Sequence, residues 1–142
     1  MTTANDLIAQ RRGVLFAVAP DLPVLEAIKE MATRSVGALL VMQGSKLVGI
    51  ISERDYARKV VLLGRSSSDT AVREIMSDKV ISVRPSESLD ACMRLMTERR
   101  IRHLPVVENG KVEGMLSIGD LVKAVIDDQK RTIEQLESYI HS

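Results

Sequence analysis

A chain of 142 residues and 15.7 kDa has room for one compact unit or two small fused ones, which excludes a large multidomain enzyme. Hydrophobic residues make up 45%, charged residues 27%, and mean hydropathy is +0.04, enough apolar material for a real core and against wholesale disorder. Lys plus Arg number 20 and Asp plus Glu 19, so a net charge of +1 offers no broad field to a nucleic acid backbone or an anionic membrane, and any anion site is local.

In chain order, the first thirteen residues, MTTANDLIAQRRG, lack the apolar centre of a signal peptide and carry an acid and only two arginines, poor for a transit peptide. They read as an N-terminal segment, 1–13. No later stretch approaches the roughly 20 apolar residues of a membrane span, and a lone cysteine, Cys92, forms no internal disulfide, so a reducing cytoplasmic setting is expected. The aromatic residues are only Phe16, Tyr56 and Tyr139, too few to stack the bases of a single strand.

From Val18 onward the chain repeats itself at an offset of 65 residues. Val18 aligns with Val83, Pro20 with Pro85, Met31 with Met96, Leu39 with Leu104, Gly49 with Gly114, Ser52 with Ser117 and Asp55 with Asp120; eleven identities fall in 43 ungapped columns, too long a register for chance. Two copies are too few for a solenoid, so a closed pseudo-twofold pair is expected.

Each copy reads strand, helix, strand, strand, helix. After a short first strand, apolar residues take helical spacing at Val24, Ala27, Ile28 and Met31, and at Leu89, Cys92, Met93 and Met96, with Asp21 and Ser86 as candidate N-caps. Two β-prone runs follow, Ala38 to Met42 and Leu47 to Ile51, then Leu104 to Val107 and Val112 to Leu116, joined by Gln43-Gly44-Ser45 and Glu108-Asn109-Gly110 as hairpins. A second helix starts at Ser52 or Ser117, apolar at Tyr56, Val60 and Leu63, or at Leu121, Val122, Val125 and Ile126. Between the copies, residues 63–71 read as a loop and Val72 to Met76 as a helical turn. Beyond the repeat, Ile133, Leu136 and Ile140 fall on one side of a helix over 128–142. The expected division is 1–13, repeat 14–63, linker 64–77, repeat 78–127 and C-terminal helix.

The motif Gly-x-x-Ser-x-x-Asp occurs twice, as Gly49-Ile50-Ile51-Ser52-Glu53-Arg54-Asp55 and as Gly114-Met115-Leu116-Ser117-Ile118-Gly119-Asp120. Seen once, it is a strand running into a capping box, common whatever the function. Seen twice in a repeat, it also suits a nucleotide: helix-start amides and a Ser hydroxyl for phosphate, and a carboxylate one turn in for ribose hydroxyls.

With Arg102-His103-Leu104-Pro105-Val106-Val107 and the linker Val72-Arg73-Glu74-Ile75-Met76-Ser77, these motifs resemble the cystathionine-β-synthase (CBS) domain pair, or Bateman module, over residues 14–127. The strings SERDYARKVV and RIRHLPVVENGKVEGMLSIGDLVKAVIDDQ look like stand-alone proteobacterial CBS-pair proteins, whose relatives include a plant mitochondrial form. The resemblance implies an α/β (α+β) fold of two pseudo-twofold-related β-α-β-β-α repeats, with adenosine-nucleotide binding (AMP, ATP or NAD/NADH) in clefts between the copies. It further implies that Asp55 and Asp120 take the ribose and Ser52 and Ser117 the phosphate. Leu22, Ala27, Val36 and Ile50 would line one adenine pocket, with Cys92, Ile101 and Met115 at matching places in the other. Arg102 and His103 would reach the phosphate held over the first copy; their counterparts Gly37 and Ala38 cannot pair with an anion. Arg54 stands beside Asp55 and could touch a polyphosphate.

Plainer readings stand beside these. Arg99 to His103 suits a solvated helix end, Arg54 and Arg58 a surface ion pair with Asp55, and Cys92, aligned with Ala27, a small core or pocket residue rather than a catalytic thiol. His103 and His141 lack any metal-ligand spacing. Three functions follow: a nucleotide-sensing regulatory module acting on an unknown effector protein, a nucleotide hydrolase with Asp55 or Asp120 as base, or a dimerising scaffold. The hydrolase lacks a paired carboxylate motif, a credible Ser/His/Asp arrangement and a P-loop. A homodimer is expected, with Tyr56 to Leu63 and Leu121 to Ile126 near its interface.

Overall fold

The computed structural model describes residues 1–141. In chain order it contains α1 (Ala4–Ile8), a 3₁₀ turn (Ala9–Arg11), β1 (Ala17–Val18), α2 (Val24–Arg34), β2 (Ala38–Gln43), β3 (Lys46–Ser52) and α3 (Glu53–Tyr56), continued by a π-helical turn (Ala57–Val61). After these come α4 (Val72–Ile75), α5 (Leu89–Arg99), β4 (His103–Glu108), β5 (Lys111–Ser117) and α6 (Ile118–His141). The fold is mixed α+β with two small sheets, ordered β1-β2-β3 and β4-β5. Two compact units result, one of residues 14–81 and 109–112, the other, among the described residues, of 1–13, 82–108 and 113–141.

In the unit that carries the first repeat, β1 pairs parallel with β2, Val18 opposite Val41. β2 and β3 form an antiparallel hairpin with Leu39 opposite Ile51 and Val41 opposite Gly49. The alternation of Leu39, Val41 and Ile51 sends those side chains to one face, where they meet Val24, Ala27 and Met31 of α2 with Val60, Val72 and Ile75 in one buried cluster. In the other unit the first strand shrinks to a single parallel bridge, Val83 to Val106, at the 65-residue equivalent of Val18 and Val41. Leu89, Cys92, Met96, Leu104, Leu116 and Leu121 are buried there.

The helix starts differ from the sequence reading. α2 begins after Pro23, with no side-chain cap, and α5 after Ser88, whose hydroxyl accepts from the Ala91 N–H. Asp21 pairs instead with Arg73. The physical reason is the preceding segment: the first helical amide donates to a distant carbonyl, Val24 to Thr70 at 2.8 Å and Leu89 to Thr2 at 3.0 Å. Val72 donates to Leu22 and Ala4 to Glu87, both at 2.8 Å, and Arg73 to Pro20 and Asn5 to Pro85 follow the same plan. So residues 2–8 serve the second repeat as residues 70–76 serve the first. What reads in sequence as a detached N-terminal segment is part of a unit.

Leu63 lies past the helix and is exposed, since the chain turns at Gly64 with φ 65°. The expected helix over 128–142 is the end of a longer one: α6 runs unbroken from Ile118 through Asp127 to His141, with Ile133, Leu136 and Ile140 exposed, while Ser142 lies outside the described residues.

Candidate functional site

The two Ser-x-x-Asp stretches form the same structure. Ser52 caps α3: its hydroxyl accepts from the Asp55 N–H at 3.2 Å, and Asp55 Oδ2 accepts from the Ser52 N–H at 2.9 Å and from its hydroxyl at 3.0 Å. Ser117 and Asp120 repeat the two backbone bonds at the start of α6, with the Ser117 N–H donating to Asp120 Oδ2 at 2.8 Å and the Asp120 N–H to the Ser117 hydroxyl at 3.2 Å. The first helical amide is tied to the residue before the preceding strand pair, Glu53 N–H to the Gly37 carbonyl at 3.0 Å and Ile118 N–H to the Arg102 carbonyl at 2.8 Å. Gly37 and Arg102 are therefore held beside the Ser-Asp start in their own units.

Around the first start, Ala27 and Ala38 are buried, Leu22, Val36, Gly37 and Ile50 are half-buried, and Arg54 is exposed. Around the second, Cys92 is buried, Ile101, His103 and Met115 are half-buried, and Arg102 is exposed. Arg54 and Arg58 are not the partners of Asp55; Lys59 is, its Nζ 3.5 Å from Asp55 Oδ1 while also donating to the Ile75 carbonyl at 2.9 Å. Spacing i,i+4 on a helix could have flagged that lysine. Nothing local could have flagged Arg11, whose guanidinium lies on Asp120 at 2.8 Å from 109 residues away.

The structure also explains the motif's glycine. A Cβ on Gly49 would stand 2.6 Å from Met76 Sδ and 3.0 Å from the Ser77 carbonyl oxygen; on Gly114 it would meet Ile8 at 3.3 Å. Each glycine clears space for the short segment packed against its repeat.

Burial pushes the Cys92 thiol up to about 11, with Glu87 adding to the effect, so the thiol stays protonated and is no nucleophile. Burial likewise holds His103 below its ordinary value of 6.5, opposed by the Asp120 charge and assisted by that of Arg102. His103 is therefore neutral at pH 7 in the free protein, and the charge at this corner is that of Arg102. Because the unfolded chain takes up the proton first, His103 contributes stability that is intact above about pH 6.5 and is lost as pH falls toward its depressed folded value. The urea midpoint should drop between pH 7 and 5.5, and His103→Gln should flatten that drop; an unchanged slope would remove His103 as its source.

Among the described residues no group of three or more His, Cys, Asp or Glu is placed to hold a metal ion, and no helix is long and apolar enough to cross a membrane.

The CBS domain family model matches residues 11–62 and 72–127. The mitochondrial CBS domain-containing protein CBSX3 of Arabidopsis thaliana is 43% identical over 148 aligned positions, covering 98% of this chain and 72% of that protein. A solved putative signal-transduction protein with CBS domains from Burkholderia ambifaria is 52% identical, with a TM-score of 0.86 over 90% of this chain and 96% of that one. The CBS domain pair of protein MJ0100, solved with 5′-methylthioadenosine and S-adenosyl-L-methionine, shares the fold at a TM-score of 0.80 and 23% identity, over 90% of this chain and 98% of that one. A repeated β-α-β-β-α unit with a capped Ser-x-x-Asp start defines a tandem-repeat module of the Bateman class. The chain belongs to the CBS domain family, carrying two copies of the domain.

Proposed function

We propose that this protein is a non-catalytic cytoplasmic regulatory module that binds an adenosine nucleotide, AMP, ATP or an NAD-type ligand, and passes occupancy to an effector protein. The observation that carries it is the twice-built helix start in which a half-buried Asp is locked in place by its own cap. At Asp55 the cap uses Oδ2, and Oδ1, with Lys59 Nζ at 3.5 Å, has lone pairs for the two ribose hydroxyls. In this reading the Ser52 and Ser117 hydroxyls and the helix-start amides take phosphate, and Arg102 supplies fixed positive charge for it. Leu22, Ala27, Val36 and Ile50 in one repeat and Cys92, Ile101 and Met115 in the other give apolar walls for the base. That a protein of the same fold was solved with two adenosine compounds supports the ligand class. Mass spectrometry of small molecules released by denaturing the purified protein tests it: an adenosine nucleotide is expected, and a co-purifying ligand of another class would overturn it.

The module acts in this reading as a homodimer. Val61, Leu62 and Leu63 in one unit and Val122 and Ile126 in the other are exposed, whereas Val60 and Leu121, expected at the same interface, are spent inside their own units. Light scattering at micromolar concentration should give twice the chain mass; a monomer mass would sink the dimer.

A further inference from the structure

The two Ser-x-x-Asp starts match in backbone but not in what holds their carboxylates. Asp55 keeps Oδ1 for others, with a lysine at 3.5 Å as its neighbour. Asp120 instead has one guanidinium lying across both of its oxygens. Its Oδ2 accepts from the Ser117 N–H at 2.8 Å and from Arg11 Nη2 at 2.8 Å, and its Oδ1 faces Arg11 Nη1 at 3.5 Å. Arg11 Nη2 also donates to the Met115 carbonyl at 3.1 Å. One guanidinium thus covers both the carboxylate and the edge of the strand leading to it. The equivalent carbonyl in the first repeat, that of Ile50, is taken by the backbone N–H of Ser77 at 2.9 Å, so the first repeat closes its strand edge without touching its Asp.

Arg11 ends the 3₁₀ turn after α1, in the segment that serves the second repeat, and its side chain is 43% exposed against 29% for Asp120. An ion pair this open to water is screened by salt and is readily exchanged for another partner. We propose that Arg11 is a displaceable latch on the second site: it lies across both oxygens of Asp120, where the hydroxyls of a ribose would have to donate, and an adenosine ligand engages that carboxylate only when Arg11 leaves. This rests on the nucleotide reading above and adds to it that the two sites are unequal, the Ser52–Asp55 site filling first and the Ser117–Asp120 site paying for release of Arg11. The segment that Arg11 ends is anchored separately, through Arg12 to Glu113 at 3.3 Å, the Asn5 N–H to the Pro85 carbonyl at 2.8 Å and the Gly13 N–H to the Glu113 carbonyl at 2.9 Å, so the latch opens without detaching it.

Calorimetric titration of the full chain with adenosine, a neutral probe, tests the latch. The proteins are wild type, Arg11→Ala, Arg11→Gln and Arg12→Ala, each also with Asp55→Asn to leave only the second site. The expected result is that both Arg11 variants tighten second-site binding by about tenfold, a difference near 1.4 kcal/mol, while Arg12→Ala does not. Raising salt to about 0.5 M, where the screening length falls below ~5 Å, should tighten second-site binding in wild type but not in Arg11→Ala. Adenosine bound at the first site with second-site affinity unchanged or weakened in both Arg11 variants overturns the latch alone. Absence of adenosine and AMP binding at millimolar concentration in every variant overturns the nucleotide reading and the latch together.

Discussion

Adenosine nucleotides should raise the melting temperature of the wild-type protein by about 5–10 °C at a hundredfold excess over Kd. A ligand that binds only the folded state stabilises it by about 2.7 kcal/mol at that excess, and for a chain of this size each kcal/mol moves the melting point by roughly 2–4 °C. AMP, ATP and NAD-type ligands should give the shift and GMP less, because the walls proposed for the base are apolar and its edge must be read by backbone groups. The carboxylates are the proposed ribose acceptors, so their loss should remove the shift, but the choice of substitution matters. Asp55 and Asp120 each accept the N–H of their capping serine, at 2.9 and 2.8 Å, and alanine there would also lose a cap at about 1 kcal/mol per helix start. Asp55→Asn with Asp120→Asn keeps an oxygen for the cap and withdraws the charge. That double variant should melt near the wild type and show little response to AMP; a full response would take the ribose away from these two residues.

Gly49→Val should lower the melting temperature by roughly 6–20 °C, from a loss of about 3–5 kcal/mol. The first atom a Cβ would strike, Met76 Sδ, can swing aside, but the Ser77 carbonyl oxygen 3.0 Å away cannot. That carbonyl accepts from the Ile50 N–H at 3.0 Å while the Ser77 N–H donates to Ile50 at 2.9 Å, so moving it breaks both bonds, worth about 0.5–1.5 kcal/mol each on top of the overpacking. Gly114 is the internal control. Its Cβ would meet only the Ile8 side chain, at 3.3 Å or more, so Gly114→Ala should cost about 1 kcal/mol and less than Gly49→Ala. Equal losses at the two glycines, measured by thermal melts, would mean that the backbone contact at Ser77 is not what excludes a side chain.

Much of the architecture was legible along the chain because its causes are local. The periodicities of Val24 to Met31 and Leu89 to Met96, the turn residues Asn109-Gly110 with both φ values positive, and the Ser-to-Asp capping boxes act over a few residues. Repetition at 65 residues then carried the strand register from one copy to the other, Val18–Val41 to Val83–Val106. Asp21 and Ser86 were poor guides to the helix starts because the amides there are satisfied by the carbonyls of Thr70 and Thr2, far off in sequence. What the sequence by itself determined is the twofold repetition, written in the matching columns themselves, and within each copy the strand, helix, strand, strand, helix order and the capped Ser-x-x-Asp start, since those elements and caps rest on interactions within one or two helical turns. Tertiary structure alone decided that residues 2–8 serve the second repeat and 70–76 the first, that the motif's glycines make room for Ile8 and Met76, that burial keeps His103 neutral, and that Arg11 sits on Asp120. Five helical residues are too few to carry a readable period, and an ion pair spanning 109 residues leaves no pattern at either end until the chain closes on itself.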